Sequence, residues 1–134
     1  MNVNHLTRQI IGFAFKIHKT LGFGFLESVY ENAMKIELSR IGVEAFQQVA
    51  LDVFYESHRV GHFIPDLWIR DMLIIEVKSV NALSVAHEVQ LVNYLTATHV
   101  DNGLLINFGP SVEVKRKFRE YKRKQSFANS HACL

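Results

Sequence analysis

The 134-residue sequence contains a single cysteine and no long apolar run. Cys133 has no second cysteine to pair with, which excludes an intramolecular disulfide and a cysteine-based zinc site within this sequence. No apolar stretch approaches the ~20 residues that a membrane-spanning helix needs, and residues 1–10 lack a secretory signal pattern. We therefore expect a cytoplasmic protein that has no membrane partner.

An excess of charge of one sign is also missing, because the formal net charge is only +2. That value does not indicate nucleic-acid binding by itself, but the basic residues are unevenly distributed. Seven Lys and Arg residues lie between residues 115 and 124, against one acid, Glu120. Such a run can neutralise phosphates, so Lys115, Arg116 and Lys117 are candidate nucleic-acid contacts; a solvated chain end is the equally favoured alternative.

The remaining composition is that of an ordinary globular domain. The sequence is 49% hydrophobic and 21% charged, which is too apolar for general disorder. A chain of this length buries about two-thirds of its unfolded surface when it folds. We predict a single domain over residues 1–118 and a basic, flexible tail over residues 119–134.

Hydrophobic periodicity predicts an α/β fold, with helical spacing in three segments and a period near two in the others. The predicted order, α-α-β-β-β-α-β, indicates a central mixed sheet flanked by helices. Residues 112–118 fit either an edge strand or the start of a helix. The other predicted elements are helices over residues 3–21, 26–41 and 83–98, a hairpin within residues 43–69, and buried strands at 73–78 and 103–108.

Charged residues lie where the sequence predicts buried strands. Asp66 follows Pro65, and Glu76 and Lys78 end a strand that begins with a continuous apolar run. Strand side chains alternate, so Glu76 and Lys78 share one face while Val77 points to the other. Two carboxylates beside an ammonium group form a typical site for a hard divalent cation, and they predict a metal-dependent phosphodiesterase site. A structural ion-pair network is the alternative.

These residues resemble the motif of the PD-(D/E)xK nuclease superfamily: Pro65-Asp66, a ten-residue step, and then Glu76-x-Lys78. The segment Gly24 to Tyr30 resembles the signature of the GxxExxY proteins, a group within that superfamily. The segment from His87 to Leu95 resembles that group's helix after the catalytic strand, and its Gln90-x-x-x-Tyr94 resembles a motif of RecB-like exonuclease domains. The resemblance spans about residues 5–118 and implies a restriction-endonuclease-like core.

The chemistry assigns a role to most of these residues. Asp66 and Glu76 would hold Mg²⁺ or Mn²⁺, and Lys78 would stabilise charge that develops on the phosphate. The resemblance implies that the Val77 carbonyl and Glu27 are further metal ligands. For Glu27 the alternative is a favourable interaction with the helix dipole.

Two helix residues are further candidates, and two others are secondary candidates. Gln90 and Tyr94 share a helix face and can reach one phosphate, or they form a structural polar pair. Tyr30 and His87 are secondary candidates, and a core tyrosine is the alternative for Tyr30.

The sequence thus predicts a Mg²⁺-dependent nuclease that acts on DNA in preference to RNA. The alternative is a nucleic-acid-binding or accessory subunit that keeps the fold without useful turnover. A homo-oligomer is compatible with both hypotheses.

Overall fold

The structure, a computed structural model, describes residues 2–120. It has an α/β architecture in which two N-terminal helices precede a β-hairpin and a central sheet. None of its helices within these residues has the length and apolar character needed to cross a membrane. The elements are, in chain order, α1 (Val3–Leu21), α2 (Glu27–Arg40), β1 (Leu51–Tyr55), β2 (His58–Phe63), β3 (Leu67–Ile69), β4 (Leu73–Lys78), α3 (Val85–Thr98), β5 (Asn102–Phe108) and β6 (Val112–Phe118).

The central sheet has the order β3-β4-β5-β6, and β1 pairs with β2 in a separate hairpin. β4 and β5 are parallel, whereas the pairs β3–β4 and β5–β6 are antiparallel. Helices α1 and α2 pack against one face of this sheet and contribute to the larger core. Helix α3 covers the other face with a smaller core. The prediction of a central mixed sheet flanked by helices is therefore confirmed.

The structure contains two strands more than the predicted order α-α-β-β-β-α-β. The predicted return strand of the hairpin is interrupted, because β2 ends at Phe63 and β3 begins at Leu67. Pro65 lies in the gap, and proline has no N–H group to donate to a strand ladder. Residues 112–118, for which the sequence allowed two interpretations, form the edge strand β6. The observed order is α-α-β-β-β-β-α-β-β.

The helix ends follow local sequence signals. Gly22 ends α1 with a φ of 77°, a conformation that glycine adopts without steric cost. The Ser84 hydroxyl accepts a hydrogen bond from the backbone N–H of His87 and so caps the start of α3. These caps determine where the loops beside the candidate site begin and end.

Strand β4 divides its side chains between the two cores. Ile75 and Val77 are fully buried against α1 and α2, whereas Ile74 packs in the α3 core. Glu76 and Lys78 alternate with Ile75 and Val77, so they lie on the α3 face, where both are half-buried. The predicted separation of Glu76 and Lys78 from Val77 is therefore confirmed.

A buried asparagine holds the loop that follows β4. Asn107 is fully buried and pairs in register with Lys78 across the parallel strands. Its side-chain amide accepts the Val80 N–H at 3.0 Å and donates to the Val80 carbonyl at 2.9 Å. A Cβ at Gly109 would lie 2.5 Å from that same carbonyl oxygen, so this close approach requires glycine. The chain beyond Lys78 is thus tied to β5.

The last described residues still belong to the packed domain. The Arg119 N–H donates to the Asp101 carbonyl, and the Glu120 N–H donates to the Thr96 hydroxyl. The rest of the predicted tail, including Cys133, lies outside the described residues.

Candidate active site

Asp66 and Glu76 face each other at one end of the β3–β4 pair. They lie one step beyond the Leu67–Ile75 pair of the antiparallel register. A carboxylate oxygen of Glu76 accepts the Asp66 N–H at 2.9 Å. In return, a carboxylate oxygen of Asp66 accepts the Val77 N–H at 2.7 Å. These reciprocal bonds to the backbone hold the two carboxyl groups side by side.

The closeness of the two acids changes their electrostatics. Burial raises the pKa of Glu76 from 4.5 to about 8, and the negative charge of Asp66 contributes in the same direction. The positive charge of Lys78, which lies on the same strand face as Glu76, opposes this rise. Glu76 therefore keeps its proton at neutral pH unless a cation offsets the repulsion.

A third carboxyl group, that of Glu31 on α2, also lies beside Asp66. Burial raises the pKa of Glu31, and a hydrogen bond from Gln47 lowers it. Asp66 raises this pKa again through both its charge and a side-chain hydrogen bond. The charge of Asp66 is thus coupled to two glutamates, one from the sheet and one from a helix.

Glu31 lies outside the motif residues predicted from the sequence, although the sequence carries a signal for it. Glu31 lies four residues after Glu27, and residues at this spacing share one helix face. Glu27 itself accepts the Ser79 N–H at 3.3 Å, and its negative charge contributes to the raised pKa of Glu31. Ser79 directly follows Lys78, so α2 brings one glutamate to Asp66 and another to the end of β4.

The α3 candidates lie over the sheet face that carries Glu76 and Lys78. The Tyr94 ring stacks on Phe63, with ring centroids 4.0 Å apart, and contributes to the α3 core. Gln90 is exposed on the same helix and borders a surface groove with Tyr94. The His87 imidazole accepts the Ser84 N–H at 3.2 Å and completes the N-terminal cap of α3. His87 therefore has a structural partner in the helix cap.

Tyr30 is fully buried and stacks on Phe108, with ring centroids 4.5 Å apart. Its hydroxyl group donates to the Gly22 carbonyl at 2.5 Å and accepts the Phe25 N–H at 3.3 Å. The structure therefore places this secondary candidate in the core, where it anchors the loop that leads to Glu27.

The three basic candidates on β6 do not form one patch, because strand alternation separates them. Lys117 binds Glu88 of α3 at 2.6 Å, and this hydrogen bond lowers the pKa of Glu88, as do the charges of Lys117 and Lys115. Arg116 donates to Asn102 at 3.2 Å and packs over the ring of Phe118. Lys115 is exposed. Of the three, Lys115 is the most accessible to a phosphate.

The donor set fits a hard divalent cation by its chemistry. Asp66, Glu76 and Glu31 supply carboxylate oxygens, and two of these groups have raised pKa values, as expected for acids that are close to each other without a counter-charge. The backbone bonds of Asp66 and Glu76 use one oxygen of each. Within residues 2–120, no group of three or more His, Cys, Asp or Glu side chains has the geometry to hold a metal ion, so the fit rests on the chemistry of the donors.

A mixed sheet between helices, with acids and a lysine at a strand end, defines a restriction-endonuclease-like α/β domain. A family model of the PD-(D/E)XK nuclease superfamily matches residues 4–120. The chain therefore belongs to this superfamily, as the sequence motif predicted. The narrower assignment to the GxxExxY proteins remains a prediction.

Further comparisons add little to this assignment. No protein of curated function gives a significant match. One solved structure, "Crystal structure of SSO0001", aligns with 93% of this chain and 69% of that chain, with a TM-score of 0.48 and 16% identity. A similarity this low does not support a conclusion about fold or function.

Proposed function

We propose that the protein is a metal-dependent nuclease that hydrolyses phosphodiester bonds, in DNA rather than RNA. The observation that carries the proposal is the Asp66–Glu76 pair, which reciprocal backbone bonds hold together beside Lys78. Membership of the PD-(D/E)XK superfamily supports it, because these nucleases generally use divalent metal ions. A carboxyl group with a raised pKa beside a second carboxyl group, as Glu76 is beside Asp66, is typical of a functional site.

In this proposal Asp66, Glu76 and the Val77 carbonyl would hold Mg²⁺ or Mn²⁺, and Glu31 and Glu27 would contribute from α2. When bound, the metal ion would lower the pKa of a water molecule and neutralise charge on the phosphate. Lys78 orients the attacking water or binds a phosphate oxygen, so its charge stabilises the transition state.

The helix α3 would contribute to substrate positioning. Gln90 is exposed on the side of α3 that borders Tyr94, and its amide can donate to a phosphate oxygen. The Tyr94 ring packs on Phe63, which lies three residues before Asp66. We propose that Tyr94 supports the site through this packing and that its hydroxyl group contacts the substrate.

Cleavage assays test this function with variants that preserve side-chain shape. End-labelled single-stranded DNA, duplex DNA and RNA are incubated with Mg²⁺ or Mn²⁺ and each variant. Asp66→Asn, Glu76→Gln and Lys78→Met should lose cleavage. Asp52→Asn should cleave normally, because Asp52 lies on the hairpin in an ion pair with Arg59. Equal cleavage by folded active-site variants contradicts the proposal.

A further inference from the structure

The loop between α1 and α2 exposes three large apolar side chains beside the candidate active site. Phe23 is 46% exposed, Phe25 is 47% exposed and Leu26 is 78% exposed. A single exposed apolar side chain is ordinary on a protein surface, whereas a contiguous set marks an interaction site. We call Phe23, Phe25 and Leu26 the apolar rim.

The fold holds the apolar rim in a defined position. The hydroxyl group of the buried Tyr30 bonds to the backbone on both sides of the loop, at Gly22 and Phe25. The hydroxyl group of Ser79 donates to the Phe25 carbonyl at 2.8 Å. Gly24 has a φ of 116°, a backbone conformation that residues other than glycine rarely adopt. These contacts keep the loop backbone in place while its apolar side chains remain partly or largely exposed.

The apolar rim is continuous with the acidic cluster. The loop leads directly into Glu27, whose carboxylate accepts the Ser79 N–H. Phe25 and Glu27 are therefore both bonded to the residue that follows Lys78. The rim therefore lies beside the end of β4 that carries Glu76 and Lys78, where it can contact a substrate bound at these residues.

We propose that the apolar rim binds unpaired nucleobases next to the bond that is cut, so the substrate is single-stranded or carries an unpaired end. This inference rests on the proposed function, because it places the phosphodiester at the acids. The rim has no charge with which to bind phosphates, and a duplex hides its base faces within the stack. An unpaired base offers a flat apolar face that stacks on an aromatic ring.

Binding without cleavage tests the inference. Fluorescence anisotropy measures the affinity of the protein for labelled oligothymidine and for a duplex of equal length, in EDTA. Phe25→Ala should weaken oligothymidine binding about 5- to 150-fold, the range for loss of one stacked base, and should leave duplex binding unchanged. Leu26→Ala, at a position 78% exposed and therefore tolerant of truncation, should weaken it in the same direction.

Two further variants make the test specific. Phe25→Trp should keep the affinity of the wild type, and oligothymidine should quench the added tryptophan emission. Phe54→Ala should change nothing, because Phe54 is also an exposed phenylalanine, at 59%, but borders the C-terminal end of α3 instead.

Three results would overturn the inference. In the first, the rim variants bind oligothymidine as the wild type does. In the second, they lose single-stranded and duplex binding equally. In the third, sedimentation shows a dimer that Leu26→Ala dissociates while oligothymidine binding persists, which makes the rim a subunit interface.

If the wild type binds oligothymidine through the rim but cuts nothing, the proposed function fails and the rim assignment stands. If it cuts DNA but the rim variants bind normally, only the rim assignment fails.

Discussion

The raised pKa of Glu76 predicts that the protein loses stability as the pH rises when no metal ion is present. The folded-state pKa, about 8, lies above the ordinary value of 4.5, so between these values the unfolded chain binds fewer protons than the folded chain. The free energy of unfolding therefore falls with rising pH through this window, and the loss is complete above about pH 8. Glu31 contributes with the same sign, because its pKa is also raised.

The size of the effect follows from the same values. Each pKa unit corresponds to about 1.4 kcal/mol, so a rise from 4.5 to about 8 amounts to about 4 to 5 kcal/mol. This figure is an upper limit, because solvent reaches part of the Glu76 side chain and screens its charge. Even half of it is a large share of the ~5 to 15 kcal/mol that stabilises a typical domain.

Urea unfolding in EDTA at about pH 5 and pH 9 measures this loss, with circular dichroism as the signal. Glu76→Gln, which keeps an oxygen to accept the Asp66 N–H, should flatten the pH dependence. Mg²⁺ should restore wild-type stability at high pH, because it binds the ionised pair of the folded state. The reasoning is refuted if Glu76→Gln and the wild type show the same slope, or if stability rises with pH in EDTA.

Three other predictions concern Glu31, Asn107 and the neighbouring pair Lys115 and Arg116. Glu31→Gln should weaken Mn²⁺ binding about 10- to 100-fold by calorimetry, while Glu44→Gln, an exposed acid, should not; equal affinities would exclude Glu31 from the site. Asn107→Leu should lower the free energy of unfolding in urea by about 1 to 3 kcal/mol, because backbone groups lose their partners; an unchanged midpoint would contradict that role. Lys115→Met should reduce the slope of the logarithm of the DNA-binding constant against the logarithm of the salt concentration by about one unit, without loss of stability. Arg116→Met should instead lower the melting temperature; the reverse pattern would contradict the assignment of the two residues to opposite faces.

Sequence patterns predicted the part of the site that depends on local geometry. Strand alternation placed Glu76 and Lys78 on one face and Val77 in the core, because a two-residue period does not depend on neighbouring strands. The Pro65-Asp66 step also indicated a carboxylate near Glu76. Backbone pairing in the β3–β4 hairpin then brings the two acids together.

Patterns within a single segment could not predict the features that depend on how distant segments pack together. Glu31 reaches Asp66 because α2 packs against β4, and that docking depends on residues far apart in the sequence. The role of Asn107 depends on the parallel register of β5 with β4, which no local period contains. The basic run on β6 is continuous in the sequence, but strand alternation places Arg116 on the face opposite Lys115 and Lys117.

Anomalous scattering from crystals grown with Mn²⁺ tests the central claim most directly, because it locates the ion. The account predicts Mn²⁺ within about 2.2 Å of a carboxylate oxygen of Asp66 and one of Glu76, with occupancy lost in Asp66→Asn. Mn²⁺ bound elsewhere, or an empty Asp66–Glu76 pair at saturating Mn²⁺, would contradict the account.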